Sequence, residues 1–156
     1  MARIEDFGTE FVQRTRYLLA EYQGEYKLSN ALNCMLGLIV LPNEMLEYSR
    51  NEIWDTQIVD IEELNSLHIH FFEPIRSKRR HDVEYSPKTF RVLLKKMRNG
   101  IAHQNISPVN TDQLFTGVKI KNFFSAGRRD MDLEIEFDRR GLERFALFVA
   151  EKYLGE

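Results

Sequence analysis

Partway along this chain the spacing of apolar residues changes, and that change limits the folds open to it. Phe90, Leu93, Leu94, Met97 and Ile101 recur every three or four residues, the period of a helix with one buried face. Val118 and Ile120, and later Met131, Leu133, Ile135 and Phe137, alternate with polar residues, the period of a half-buried strand. Ser125-Ala126-Gly127-Arg128-Arg129 reads as a turn between the two alternating stretches, which predicts a β-hairpin. Asp138 then caps a last helix, with Leu142, Phe145, Ala146, Val149 and Tyr153 on one stripe. Upstream, Phe7, Phe11, Val12, Leu18 and Leu19 mark an amphipathic helix from Asp6 to Glu21. From Tyr26 to Leu41 the chain is apolar almost all round, which suits a central helix buried on most sides and ended by Pro42. Residues 43–73 are acidic and mixed, with a short helix around Ile61 to Leu67, and Glu73 to Ser86 reads as a loop. The helix carrying Phe90 opens at Ser86-Pro87, a serine N-cap with a proline in the first turn, and runs to about Asn105. The expected fold is mainly α: a helical bundle with a β-hairpin appended before the C-terminal helix, in a single domain over residues 1–156.

Cys34 is the single cysteine, so no internal disulfide can form, and its apolar neighbourhood suits a reduced, buried thiol. The run Met35 to Leu41 is far too short to cross a bilayer, and Met1 to Glu10 carries three acids without an apolar run. The expected compartment is the cytoplasm, with no membrane partner. Net charge is −2, but it is unevenly spread. Between Arg76 and Arg98 nine basic residues face only Asp82 and Glu84, a stretch able to bind phosphates locally. Within it, Lys78, Arg79, Arg80, Arg91, Lys95 and Lys96 are the candidate phosphate contacts. His68 and His70 are spaced to share one face of a strand, but no cysteine or third histidine lies near them, so neither a metal nor another cofactor is expected. No phosphate-cradling glycine loop and no nucleophile elbow is present. Trp54 and Tyr48 read as packing residues rather than base-stacking ones.

One face of the third helix has no place in such a core. At about 100° per residue from Phe90, the apolar stripe spans about −60° to 40°, while Asn99 and His103 fall at about 180° and 220°. They are four residues apart and can touch, with Arg98 on the flank. Val92 and Ala102 lie on the same outer side and suit contact with another chain. Gly100, which costs about 1 kcal/mol relative to alanine in a helix interior, makes sense where a backbone or ligand approaches closely.

Arg98-Asn99-Gly100-Ile101-Ala102-His103 resembles the signature of the HEPN superfamily: arginine, a polar residue, then histidine after four to six intervening positions. The bare Arg-to-His spacing recurs at Arg76 and His81, but Ser77 occupies the second position there. The apolar second helix and the hairpin-plus-helix ending are similar to a small plasmid- and prophage-borne HEPN subfamily. The resemblance implies metal-independent endoribonuclease activity, in a toxin or phage-defence effector, or alternatively a catalytically inactive module that binds RNA or protein. It implies that Arg98 stabilises charge on the scissile phosphate, His103 transfers protons and Asn99 orients the imidazole. It also implies a homodimer that brings two motifs into one cleft, with Val92, Gly100 and Ala102 at the interface, and an antitoxin or regulatory protein as a further partner. HEPN toxins silenced by nucleotidylation carry a tyrosine two residues after the histidine; Asn105 stands there in this chain.

Overall fold

A computed structural model describes residues 7–43, 52–72, 88–123 and 131–156. In chain order they form α1 (Phe7–Glu21), α2 (Lys27–Asn43), β1 (His68–Phe71), α3 (Phe90–Ala102), β2 (Ile106–Thr111), β3 (Leu114–Phe123), β4 (Met131–Asp138) and α4 (Arg139–Tyr153). Short 3-10 turns occupy Glu52–Asp55, Ile58–Asp60 and Glu62–Leu64, the last inside the stretch expected to hold a short helix. The chain divides into two compact units, one of Met1–Ile53 with Asp138–Glu156 and the other of Trp54–Phe137.

In the first unit α1, α2 and α4 pack on one another. Leu28, Ala31, Cys34, Met35, Leu38 and Ile39 are buried on α2, whereas Leu32 and Leu36 are half-buried and Val40 is exposed. That is a wide apolar stripe rather than burial all round. The helix also runs past Leu41 through Pro42 to Asn43. Burial pushes the Cys34 thiol above its ordinary pKa, so it stays protonated at neutral pH. Asp138 caps α4 as expected, accepting a hydrogen bond from the Gly141 N–H at 2.6 Å.

The second unit corrects the expected fold class. It is not part of a mainly α bundle with an appended hairpin: among the described residues four strands form one antiparallel sheet in the order β1-β4-β3-β2, and α3 lies on β3. The fold is mixed α and β. The strands read as a hairpin, β3 and β4, are the two inner strands, and the residues expected to turn between them, 125–129, lie outside the described residues. Neither edge strand shows the apolar alternation of a half-buried strand, although His68 and His70 have the spacing of one strand face. β1 has four residues, two of them histidines. In β2 a register shift between Val109 and Asn110 breaks the alternation, and Pro108 lies mid-strand.

The proline is tolerated because of its parity. Ile106 pairs with Ile120 and Pro108 with Val118, and the Lys121 N–H donates to the Asn105 carbonyl at 2.9 Å. Hydrogen-bonded positions alternate along an antiparallel ladder, so the Pro108 nitrogen faces away from β3, where the missing donor breaks no ladder bond. It also blunts an open sheet edge. Asp112 and Gln113, at φ 50° and 66°, make the two-residue β2–β3 turn, whose left-handed pair matches strand twist.

Val118, Ile120, Leu133, Ile135 and Phe137 are buried, while alternate positions carry charge. Lys119 lies 3.4 Å from Glu134 and 3.7 Å from Glu136, and Lys121 lies 4.0 Å from Glu134. His68 and His70 pair in register with Glu136 and Glu134. Among the described residues no group of three or more His, Cys, Asp or Glu is arranged to hold a metal ion, and no helix is long and apolar enough to cross a membrane.

Candidate functional site

The helix bearing the motif is fixed at both ends by backbone contacts. It begins later than its sequence suggests: Ser86 and Pro87 lie outside the described residues, Lys88 is not helical, and Thr89 is the N-cap, accepting from the Val92 N–H at 3.3 Å. The Phe90 N–H donates to the Thr56 carbonyl at 3.0 Å, and the Ile58 N–H donates to the Lys88 carbonyl at 2.8 Å. Trp54 is fully buried and stacks parallel to Phe90 at 5.3 Å, the packing role expected of it. Tyr48 lies outside the described residues.

The other end carries the motif. α3 stops at Ala102, and His103 is its C-cap rather than an interior residue. The Asn105 N–H donates to the Gly100 carbonyl at 2.8 Å and the Gln104 N–H to the Ile101 carbonyl at 3.0 Å, the paired bonds of a Schellman motif. Gln104 takes the left-handed conformation this requires, at φ 59°. The Lys121 N–H then holds the Asn105 carbonyl, so the end of the helix is tied to β3.

Gly100 explains why the two can meet. A Cβ there would lie 2.3 Å from the Lys121 carbonyl oxygen and 3.1 Å from Cγ2 of Ile120. The close approach expected at Gly100 is therefore made to the chain's own β3, and Gly100 is buried against it. Phe90, Leu93, Leu94 and Met97 are fully buried, Ile101 and Asn99 are half-buried, and Ala102 and His103 are exposed. Asn99 and His103 thus lie off the core stripe, and the His103 backbone N–H donates to the Asn99 carbonyl at 3.0 Å. Arg98 and Val92 are half-buried on the same helix.

The basic residues of α3 divide into two kinds. Lys95 is exposed. Arg91 Nε lies 3.0 Å from Oδ1 of Asp55, whose side chain is 73% exposed. Such a surface pair is worth about 0–1 kcal/mol. Lys96 differs: its side chain is 18% exposed and its ammonium pairs with Asp132, whose side chain is 4% exposed. Removing one partner of a buried pair costs about 3–5 kcal/mol, so Lys96 is a structural cation rather than the solvent-facing phosphate contact its sequence position suggests. Asn122, also buried, donates from Nδ2 to the other carboxylate oxygen of Asp132 at 2.8 Å. Sequence reasoning missed Asp132 and Asn122 altogether. Lys96 and Asp132 stand 36 positions apart, and nothing local in the sequence links them. Lys78, Arg79, Arg80 and His81 lie outside the described residues.

A family model described as HEPN pEK499 p136 matches residues 1–156, the whole sequence. The chain belongs to this HEPN family. No curated protein and no solved structure matches it. Membership agrees with a nuclease or RNA-related role at the level of the family. In this HEPN chain the Arg98-to-His103 segment forms the last turn and cap of a helix that rests on a β-sheet.

Proposed function

We propose that this HEPN protein is a metal-independent endoribonuclease, working in the cytoplasm as a toxin or phage-defence effector, with Arg98, Asn99 and His103 as its reacting and positioning groups. The observation that carries the reading is the exposure of His103 at the end of a helix whose Asn99, Gly100 and Ile101 carbonyls are all hydrogen-bonded within the cap. Its imidazole caps the helix with no part of its ring, since the capping bond comes from the backbone N–H. An exposed histidine four residues from a half-buried asparagine, with an arginine adjacent, suits phosphodiester chemistry.

In the proposed reaction the 2′-hydroxyl attacks the adjacent phosphorus and the bond to the 5′ oxygen breaks. A histidine takes the 2′ proton, another returns a proton to the leaving oxygen, and Arg98 neutralises charge growing on the non-bridging oxygens. One chain supplies one such histidine in its motif, so a homodimer that places two motifs in one cleft completes the acid–base pair. Lys95 and Arg91 would hold neighbouring phosphates, with Lys78, Arg79 and Arg80 extending the track, and Val92 and Ala102 would meet the partner chain. An antitoxin or other regulatory protein would restrain the activity.

The test compares wild type, Arg98→Ala and His103→Ala on mixed cellular RNA, each with EDTA and without. Cleavage by wild type in both conditions, with losses of about 10²–10⁴-fold in the two variants, is the expected result. Cleavage that EDTA abolishes and magnesium restores would overturn the mechanism. RNA bound but never cut would identify a binding module instead.

A further inference from the structure

Lys96, Asp132 and Asn122 form a polar network inside an otherwise apolar interface between α3 and the sheet. Asp132 is 3% exposed and Asn122 7%, and each oxygen of the carboxylate has a partner, Lys96 on one side and Asn122 on the other. The Asp132 backbone carbonyl is occupied as well, accepting from the Phe72 N–H at 2.9 Å. The network therefore links α3, β3, β4 and the residue after β1. Apolar groups of similar volume are often as stable in such a place or more so, because taking two charges out of water offsets much of their attraction. Stability alone is a poor account of why these groups are buried here.

Their place on the helix is informative. At about 100° per residue, Lys96 stands about 40° around the helix from Gly100 and about 20° from His103. It is three residues before Asn99, a neighbouring position on the helix surface. Lys96 thus marks the seam where the face packed on β3 meets the face bearing Asn99 and His103. On the strand side the same closeness holds: the Lys121 carbonyl lies against Gly100, and Asn122 is the next residue. Gly100 lets the helix approach β3 but does not prevent it from rolling about its axis. A directional ion pair at the edge of the contact does.

We propose that Lys96, Asp132 and Asn122 are positioning residues that set the roll of α3 on the sheet and so the direction in which Asn99 and His103 point. The inference concerns the site assigned to RNA cleavage above, but it is testable whether or not that assignment holds.

The decisive variant is the double substitution Lys96→Met with Asp132→Leu, which removes both charges together. Its thermal midpoint is expected within a few degrees of wild type, since apolar replacement of a buried pair is often neutral. Its kcat on RNA should fall at least about tenfold with KM little changed, as a misplacement on the order of 1 Å costs up to about 10²-fold. The backbone amide signals of Asn99 and His103 in 1H–15N spectra should move. Lys96→Arg, which keeps the charge and can reach the carboxylate, should restore both rate and spectrum. A stable double variant with wild-type signals at Asn99 and His103 would overturn the proposal, as would one with a wild-type rate. If the wild-type protein cleaves no RNA, the reading under Proposed function fails alone, and the spectra still decide this one. Should the double variant not fold, Asn122→Ala keeps the ion pair and removes one bond; unchanged Asn99 and His103 signals there would equally overturn it.

Discussion

Gly100 is where the conformation of a single residue decides most. In a helix interior glycine is about 1 kcal/mol worse than alanine, so on propensity alone Gly100→Ala should stabilise α3. The tertiary contact reverses the sign. The added methyl would sit 2.3 Å from a backbone carbonyl oxygen, and that oxygen belongs to a strand whose neighbouring N–H is tied to Asn105. Neither side can move alone. Gly100→Ala is therefore expected to destabilise the protein by about 1–3 kcal/mol, the range of an overpacked core, in chemical denaturation. A stabilised Gly100→Ala variant would mean that the Lys121 carbonyl of β3 is not held against Gly100. His103 lies at the other extreme: its side chain is exposed, so His103→Ala should change stability by no more than about 0.5 kcal/mol.

Among the elements, α3 carries the most consequences, and its C-terminus holds a correctable strain. Gln104 occupies the left-handed position of the Schellman motif, where a side chain costs roughly 1–2 kcal/mol and glycine costs none on steric grounds. Gln104→Gly also loosens the unfolded chain, which offsets part of the gain. A net stabilisation of about 0.5–1 kcal/mol is expected, read as a raised denaturation midpoint with an unchanged slope. The core stripe of α3 was legible in the sequence because Phe90, Leu93, Leu94 and Met97 keep helical spacing, and the same spacing located Asn99 and His103 off the core. Its ends were less legible. Ser86-Pro87 is a strong local start signal, but Thr89 is bridged to Gln57 and becomes the cap, a contact between residues 32 positions apart. β2 was illegible as a strand, and β1 showed only in the spacing of His68 and His70, because edge strands need only one paired side and little apolar surface. Nothing local announces that α3 packs on a sheet, since a helix face buried on a sheet and one buried on helices show the same period.

For the molecule as a whole, assembly decides whether one cleft can hold two motifs. The outer face of α3 offers Val92, half-buried, and Ala102, exposed, beside Asn99 and His103. In the proposed homodimer a two-fold axis near that face would pair the patch with itself, the commonest symmetry of soluble oligomers. Sedimentation equilibrium should then give twice the 18.5 kDa of one chain, and Ala102→Glu should give the monomer and abolish cleavage. A monomer that cleaves RNA at full rate would refute the composite site while leaving the roles of single residues open. The central claim, that His103 and Arg98 drive attack by the 2′-hydroxyl, is tested most directly by the ends of the RNA fragments. The 3′ ends produced by wild-type protein in EDTA should be 2′,3′-cyclic phosphates, paired with 5′-hydroxyls. Fragments ending in 3′-hydroxyls with 5′-phosphates would contradict the account, because that product requires water or another external nucleophile in place of the 2′ oxygen.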